Sequence, residues 1–163
     1  MYKRQGLTLT VSAGYTVNDG NNGGNYTITT ATNTTGVINK AQLTITAVTN
    51  SKPYDGTTSA AATPTTSGLQ TGDTVTGLAE TYNTPYAGTG LTLNVSAGYT
   101  VNDGNSGSNY TVTTVNVSTG VITSLPVTAA IIAANKTYDT TTAASANCLL
   151  TSGVLPADAS NVG

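Results

Sequence analysis

The sequence predicts an all-β protein, and three observations support this. Its 163 residues include 36 Thr, 18 Gly and 16 Asn, and Thr favours strands whereas Gly and Asn favour turns. Leu, Ile and Val alternate with Thr or Asn in short runs, which is the period-2 pattern of strands with one buried face. No segment has the i, i+3, i+4 apolar spacing of a helix over three turns, so we expect at most one short helical turn, at Thr57–Ala62.

The expected strands of the central region are bounded by turns that contain Gly, Asn or Asp. They lie at Leu43–Ala47, Thr74–Leu78, Leu91–Val95, Tyr99–Val101, Asn109–Thr114 and Gly120–Thr123. Because the sequence has neither Phe nor Trp, the core must combine Leu, Ile and Val with tyrosine, and each buried ring needs a partner for its hydroxyl. The tyrosines expected in the core are Tyr54, Tyr82, Tyr86, Tyr99 and Tyr110.

An internal repeat organises the chain. Residues 6–38 and 90–122 are identical at 25 of 33 positions without a gap, and the second block begins 84 residues after the first. The same offset aligns Lys52, Tyr54 and Asp55 with Lys136, Tyr138 and Asp139, and it aligns residues 66–73 with 151–158 after one inserted residue. We call residues aligned in this way counterparts. Such a register predicts a tandem array, and its period has the size of a small domain with its own core.

The phase of the repeat follows from where one run of strands closes and the next opens. We expect residues 6–40 to be the C-terminal half of one module, 41–124 a complete module, and 125–163 the opening of a third. Residues 1–5, MYKRQ, match nothing later and look like a non-native scar, so we expect an internal segment of a longer protein. The predicted modules are small and β-sandwich-like, either Ig-like or β-grasp-like, with short joints that favour a stiff, elongated array.

Composition excludes most other classes. Five Lys or Arg against seven Asp or Glu give a net charge of −2, so we expect neither nucleic acid nor an anionic membrane as partner. Without His, no Ser-His-Asp triad is possible, and we expect neither enzyme activity nor a cofactor. The single Cys148 allows no disulfide framework and is expected to be a small apolar filler. No apolar run is long enough to insert into a membrane.

Five blocks taken in order resemble a known family. They are Lys52–Thr58 (KPYDGTT), Leu69–Val75 (LQTGDTV), Tyr82, Ala87–Gly90 (AGTG) and Ser108–Thr111 (SNYT). This set resembles the YDG-type repeats, related to MBG repeats, of large bacterial surface adhesins of the filamentous-haemagglutinin kind. The resemblance implies secreted, surface-displayed tandem β modules, and it supplies no catalytic residues.

The shared motif is expected to have a structural role. An Asp followed by Thr can accept backbone N–H bonds from the next residues and so fix a turn, while the preceding Tyr enters the core. Because Thr140 replaces Gly in the third copy, we expect that the Gly56 position does not require a positive φ. The motif residues are Tyr54, Asp55, Gly56, Tyr138 and Asp139, with Tyr26 and Tyr110 in the Asn-Tyr-Thr blocks.

Three sharper hypotheses remain as alternatives. The loop at residues 101–109, repeated at 17–25, is rich in oxygen ligands, but each copy has one carboxylate, Asp103 or Asp19, so a plain hairpin loop is favoured over a calcium site. Lys52 raises the possibility of a Lys–Asn isopeptide bond, although it precedes Pro53 in an expected solvent-facing turn. Threonines two apart on strands suggest an ice-binding face, which the long period disfavours.

The function predicted from these observations is that of a stalk. We expect a structural repeat segment of a secreted or surface-displayed bacterial adhesin, located outside the cell, whose partners are neighbouring repeats of the same chain. The alternative is that the repeats themselves bind host or matrix glycans or proteins by multivalency. A binder should present a concave site with Tyr82 or Tyr86 exposed, whereas a stalk should not.

Overall fold

The structure, a computed structural model, describes residues 4–159. Within this range the chain is all-β and forms five small sheets without an α-helix. The short helical turn expected at Thr57–Ala62 is therefore wrong: this segment is extended and forms a bridge between Ser59 and Thr81. No helix long and apolar enough to cross a bilayer occurs in the part of the chain that the structure describes.

The first sheet is a pair of antiparallel strands, β1 (Arg4–Leu9) and β2 (Asn33–Ile38). Leu9 lies opposite Asn33 and Leu7 opposite Gly36, with a register shift between them. Residues 10–32, which connect the two strands, form turns and extended chain without a strand.

The central region holds nine strands in three sheets. They are β3 (Ala41–Thr46), β4 (Ser51–Pro53), β5 (Thr65–Ser67), β6 (Thr74–Thr76), β7 (Glu80–Tyr82), β8 (Gly88–Val95), β9 (Thr100–Asn102), β10 (Tyr110–Val115) and β11 (Val117–Thr123). The sheet orders are β10-β3-β5, β4-β11-β8-β7 and β6-β9. Two pairs are parallel, β10 with β3 and β11 with β4, and the others are antiparallel.

The last sheet pairs β12 (Thr128–Ala133) with β13 (Ala146–Ser152) in antiparallel fashion. Thr128 lies opposite Ser152, just as its counterpart Thr44 lies opposite Ser67 in the pair β3–β5. The glycines that follow, Gly68 and Gly153, both have positive φ, and a Cβ on either would collide with a backbone carbonyl across the pair. Both sites therefore require glycine.

Two buried clusters form the core, and both belong to the central region. The first consists of Leu43, Ile45, Val101 and Tyr110. The second consists of Ala47, Tyr82, Leu93 and Ile122. Since Leu43, Ile45 and Ala47 alternate along one strand and its continuation, β3 supplies both clusters and joins them.

Most of the expected central strands are confirmed, with shifts of one to three residues at their ends. Tyr82 and Tyr110 are buried as expected, and Tyr54 and Tyr99 are half-buried against the clusters. Three expectations are wrong. Tyr86 and Cys148 are exposed, and residues 101–109 are not a hairpin loop, because β9 pairs with β6 whereas β10 pairs with β3.

Candidate functional site

The Tyr-Asp motif forms a closed polar turn. The Asp55 carboxylate accepts hydrogen bonds from the Thr57 backbone N–H at 2.9 Å and from the Thr57 hydroxyl at 2.9 Å. Lys52 Nζ lies 2.7 Å from the same carboxylate oxygen and also donates to the Thr57 carbonyl. The lysine, followed by the Thr57 donors, lowers the pKa of Asp55 to about 2. The Asp-to-Thr bond that the sequence predicts is thus present, and Lys52 is an additional member of the turn.

The counterpart residues in the segment 125–158 form the same turn. Asp139 accepts from the Thr141 N–H and hydroxyl, and Lys136 Nζ lies 2.7 Å from it. Gly56 has φ 74°, and Thr140 at the counterpart position has φ 65°. The expectation that this position needs no positive φ is therefore wrong: the turn imposes the left-handed conformation even on a β-branched residue, for which it is unfavourable.

Lys52 is not in a solvent-facing turn, which corrects the expectation from Pro53. It lies in β4 with a side chain only 13% exposed, and its Nζ is 5.4 Å from the centroid of the Tyr82 ring. A cation over an aromatic face is stabilised by the ring quadrupole. Since its hydrogen bonds go to Asp55 and Thr57, the ammonium is held in an ion pair rather than beside an asparagine, which does not favour an isopeptide bond.

Tyr54 contacts the segment 125–158, here called the third segment. Its hydroxyl donates to the Asp158 carboxylate at 3.1 Å, and this bond raises the pKa of Tyr54. Tyr54 and the 70% exposed Tyr86 line a cavity of about 340 Å³ together with apolar residues of the third segment. These apolar residues are Leu125, Val127, Val154 and Leu155. The cavity is thus apolar with one carboxylate and two phenol groups at its margin.

Tyr110 makes the corresponding contact inside the central region. Its hydroxyl donates to Asp73, the counterpart of Asp158, and accepts from the Gln70 N–H at 2.8 Å. Burial and the bond to Asp73 raise the pKa of Tyr110. The other two tyrosines of the predicted motif set, Tyr26 and Tyr138, are exposed. The structure therefore brings Tyr54, Asp55 and Gly56 together in one turn, and it leaves Tyr26 and Tyr138 apart from any core cluster.

The two Asp loops are closed by their own backbone. Asp103 accepts N–H bonds from Asn105 and Gly107 through one oxygen and from Asn109 through the other. Asp19 makes the same three bonds at its counterpart positions. Burial raises the pKa of Asp103, but these N–H donors outweigh it and the net shift is downwards. A carboxylate with three N–H donors has little capacity left for a cation, and the residues the structure describes contain no cluster of three or more metal-ligating groups.

Glu80 is a buried group that the sequence does not reveal. It is 2% exposed, and one carboxylate oxygen accepts the Val48 N–H at 2.7 Å, while the other has no hydrogen-bond partner in the structure. The pKa of Tyr82 is raised, first by the burial of its own hydroxyl and then by the negative charge of Glu80. The sequence Leu78–Tyr82 contains no signal that Glu80 is buried. Glu80 becomes buried because it lies on β7 opposite Val95 of β8, a pairing that the sequence alone does not reveal.

The central residues therefore define an all-β domain. Its turn of Lys52, Tyr54 and Asp55 lies beside the second buried cluster, against which Tyr54 packs. Comparison with known protein families finds a YDG domain at residues 39–117, a range that contains the turn, Tyr82 and Tyr110. No curated protein and no solved structure matches the chain.

Proposed function

We propose that the chain is a structural repeat segment, a stalk, of a large bacterial adhesin of the filamentous-haemagglutinin kind that is secreted or displayed on the cell surface. Its YDG domain is one of a series of small β-sandwich-like modules that follow each other with the 84-residue period of the sequence. The modules form an elongated array outside the cell, and each module has its neighbours in the same chain as partners.

The observation that carries this proposal is the short joint between β2 and β3, at the start of the YDG domain. β2 ends at Ile38 and β3 begins at Ala41, which leaves only Asn39 and Lys40 between two sheets. The backbone of Ala41, the first residue after this joint, is held in place because its N–H donates to the Asn109 carbonyl at 2.9 Å. A joint of two residues without a Gly or Ser run restricts rotation between the units it connects, as the spacer role requires.

The contact after the YDG domain supports the same role. β11 ends at Thr123 and β12 begins at Thr128, and the Tyr54 hydroxyl bonds to Asp158 on the far side of this joint. Gly56 also lies beside Leu155, whose Cδ1 is 3.8 Å from the position of a Cβ on this glycine. The turn of one unit thus contacts the loop of the next, which adds to the stiffness of the joint.

Small-angle scattering tests the stalk. The 163-residue chain is compared with chains lengthened by one, two and three further copies of residues 41–124. The maximum dimension should grow almost linearly with the number of copies. A matched series with a Gly/Ser-rich insertion in every joint, between Asn39 and Lys40 and between their counterparts Thr123 and Ser124 in each copy, should instead approach growth with about the square root of the copy number, as for a flexible linker. Square-root growth in the unmodified series would refute the stalk.

A second function is favoured by one observation, the exposure of Tyr86 at the margin of the apolar cavity. A concave site with an exposed tyrosine suits the stacking of a sugar ring or an apolar side chain. In this alternative the repeats bind host or matrix glycans or proteins by multivalency. Titration of immobilised oligosaccharides should then show binding that Tyr86→Ala removes and the exposed-residue control Tyr15→Ala retains.

A further inference from the structure

The strand β10 leaves one edge of its sheet unpaired inside the YDG domain. The sheet order is β10-β3-β5, so β10 pairs on one side only. β10 has six residues, whereas β5 at the opposite edge of the sheet has three. The YDG domain lies entirely within the described residues, and among these no strand pairs with the outer edge of β10.

Backbone hydrogen bonds show which residues of β10 face this edge. The Ala47 N–H donates to the Val115 carbonyl at 2.9 Å, and the Asn109 carbonyl, six residues earlier, also accepts a bond from the first residue of β3. In a parallel pair, residues that bond to the neighbouring strand alternate with residues that face away from it. Val112 and Thr114 therefore direct their N–H and C=O groups away from β3.

A cavity of about 650 Å³ lies beside the unpaired edge. Its apolar lining comes from Tyr99, Val101 and Val112, which belong to the first buried cluster or pack against it. Residues 102–107 supply most of the remaining lining. β9 and β10 both line the cavity but do not pair with each other. Val112 thus belongs both to a cavity of ligand size and to the unpaired edge.

The chemistry of this region fits an extended peptide. The lining contains no Lys or Arg, and its one carboxylate, Asp103, already accepts three backbone N–H bonds. The lining therefore offers no group suited to a phosphate or a metal ion. Its unpaired groups are backbone N–H and C=O groups at the spacing of a strand, beside an apolar pocket. An extended peptide supplies matching backbone groups and, at every second residue, a side chain for such a pocket.

We propose that the YDG domain binds an extended peptide by strand addition to β10, with one aromatic or aliphatic side chain of the peptide in the cavity beside Tyr99. The peptide backbone bonds to Val112 and Thr114 and extends the sheet to the order peptide-β10-β3-β5. The backbone bonds supply affinity, and the cavity selects the side chain.

The edge of β10 has none of the features that block strand addition. Its sequence, YTVTTV, contains neither a charge nor a proline, and its pairing with β3 runs from Tyr110 to Val115 without a bulge. Edge strands that avoid new partners usually carry such features or are covered. The edge strand β7 is covered in this way, because Ser59 bridges Thr81 and the Thr58 carbonyl accepts the Tyr82 N–H at 2.8 Å.

Peptide binding does not depend on the stalk, because the edge and the cavity lie within one domain. Growth of the maximum dimension with copy number and peptide binding are separate measurements. Either can fail while the other holds.

Nuclear magnetic resonance titration of the 163-residue chain with a blocked peptide tests the proposal. The probe is acetyl-Lys-Thr-Val-Tyr-Val-Thr-amide, whose Thr and Val favour an extended backbone and whose Tyr supplies a side chain for the cavity. The amide signals of Val112 and Thr114 should shift saturably, with a Kd of about 1 mM or lower, and their hydrogen exchange should slow. The same peptide with N-methyl groups on its three central nitrogens lacks the donors and should not bind.

Two variants test the edge and the cavity separately. Thr114→Pro removes an N–H that faces away from β3, which an edge strand tolerates, so circular dichroism should be unchanged while peptide binding weakens at least about tenfold. Thr114→Val keeps the N–H and is the matched control, which should bind like the unmodified chain. Thr100→Trp, at an exposed β9 position that lines the cavity, should fill the cavity and weaken binding without changing the edge.

Three outcomes would overturn strand addition to β10. The first is the absence of saturable shifts at Val112 and Thr114. The second is equal binding of the N-methylated peptide, or unweakened binding by both Thr114→Pro and Thr100→Trp. The third is a response of these amides to cellobiose and not to the peptide, which would assign the cavity to a saccharide.

Discussion

Residues 6–38 and 90–122 have nearly the same sequence and very different surroundings. Leu93 is fully buried and its counterpart Leu9 is 59% exposed. The antiparallel pairs nevertheless match: Leu93 lies opposite Val117 and Leu9 opposite Asn33, at counterpart positions. The Asp loops match as well, each with its three backbone N–H donors.

The comparison shows which features depend on nearby residues alone and which depend on contacts with distant strands. The loop around Asp19 or Asp103 closes by hydrogen bonds between residues at most six apart, so a short sequence is sufficient to form it. Burial of Leu93 and the formation of β10 require β3, β4 and β7, which come from residues 41–82. The turns therefore depend only on their own short sequence, whereas the buried core also depends on the strands of residues 41–82.

The largest expected effect comes from removing the buried member of a counterpart pair. Leu93→Ala should lower the free energy of unfolding by about 3 kcal/mol, because it leaves a cavity in the second cluster. Leu9→Ala should change it by less than about 0.5 kcal/mol, since an exposed side chain leaves no cavity. Urea unfolding followed by circular dichroism measures both. Equal losses would mean that the two regions have equivalent cores.

A smaller effect is expected from exchanging the residues at the positive-φ position of the motif. Gly56→Thr should cost about 1 kcal/mol, because a side chain in the left-handed region is strained. Thr140→Gly should relieve the same strain and protect the Thr141 amide, which bonds to Asp139. Urea unfolding tests the first substitution and amide hydrogen exchange tests the second. If Gly56→Thr left stability unchanged, the turn would have to tolerate a Cβ without strain.

The acid dependence of the motif should be smaller still. The pKa of Asp55 is lowered from 3.8 to about 2, so the ionised form is favoured by folding. Its contribution is present above pH 3.8 and is lost as the pH falls through about 2. Nuclear magnetic resonance titration should show the low pKa of Asp55, and Lys52→Gln should return it towards its usual value. An unchanged pKa in Lys52→Gln would contradict the role of the lysine.

No effect is expected from calcium in either region. The Asp103 and Asp19 carboxylates already accept three N–H bonds each, so a cation would have to displace them. Thermal melts with millimolar calcium and with a chelator should superimpose. A rise of the melting temperature that Asp103→Asn abolishes and Asp19→Asn does not would identify a calcium site specific to the YDG domain.

The strands that the sequence predicts most directly are those in which buried apolar side chains alternate with more exposed polar ones. β3 and β8 are of this kind, because Leu43, Ile45 and Leu93 face a cluster while their neighbours do not. β4, β5 and β7 were not predicted. Each has three residues, too few to show a period, and each forms because a longer strand offers it an edge. The equally short β6 and β9 were predicted from the turn residues that follow or precede them, such as Asp73 and Asp103.

The candidate site was predictable only in its local part. The bond from Thr57 to Asp55 follows from residue types two positions apart. The position of Lys52 over Tyr82, the burial of Glu80 and the exposure of Tyr86 depend on which strands meet, and the single sequence carries no signal for these. Tyr82 and Tyr86 are four residues apart and equally apolar, yet only Tyr82 lies on a strand that enters the core.

The parallel pairing of β3 with β10 has a consequence for biosynthesis. Ala41 pairs with Tyr110, so β3 leaves the ribosome 69 residues before its partner, which at roughly 5–20 residues per second is a delay of about 3–14 s. During that time the β10-like sequence at residues 26–30 has already been made. Correct assembly therefore depends on the growing chain rejecting a near-identical neighbour, and faster translation shortens the interval in which the wrong pairing can form.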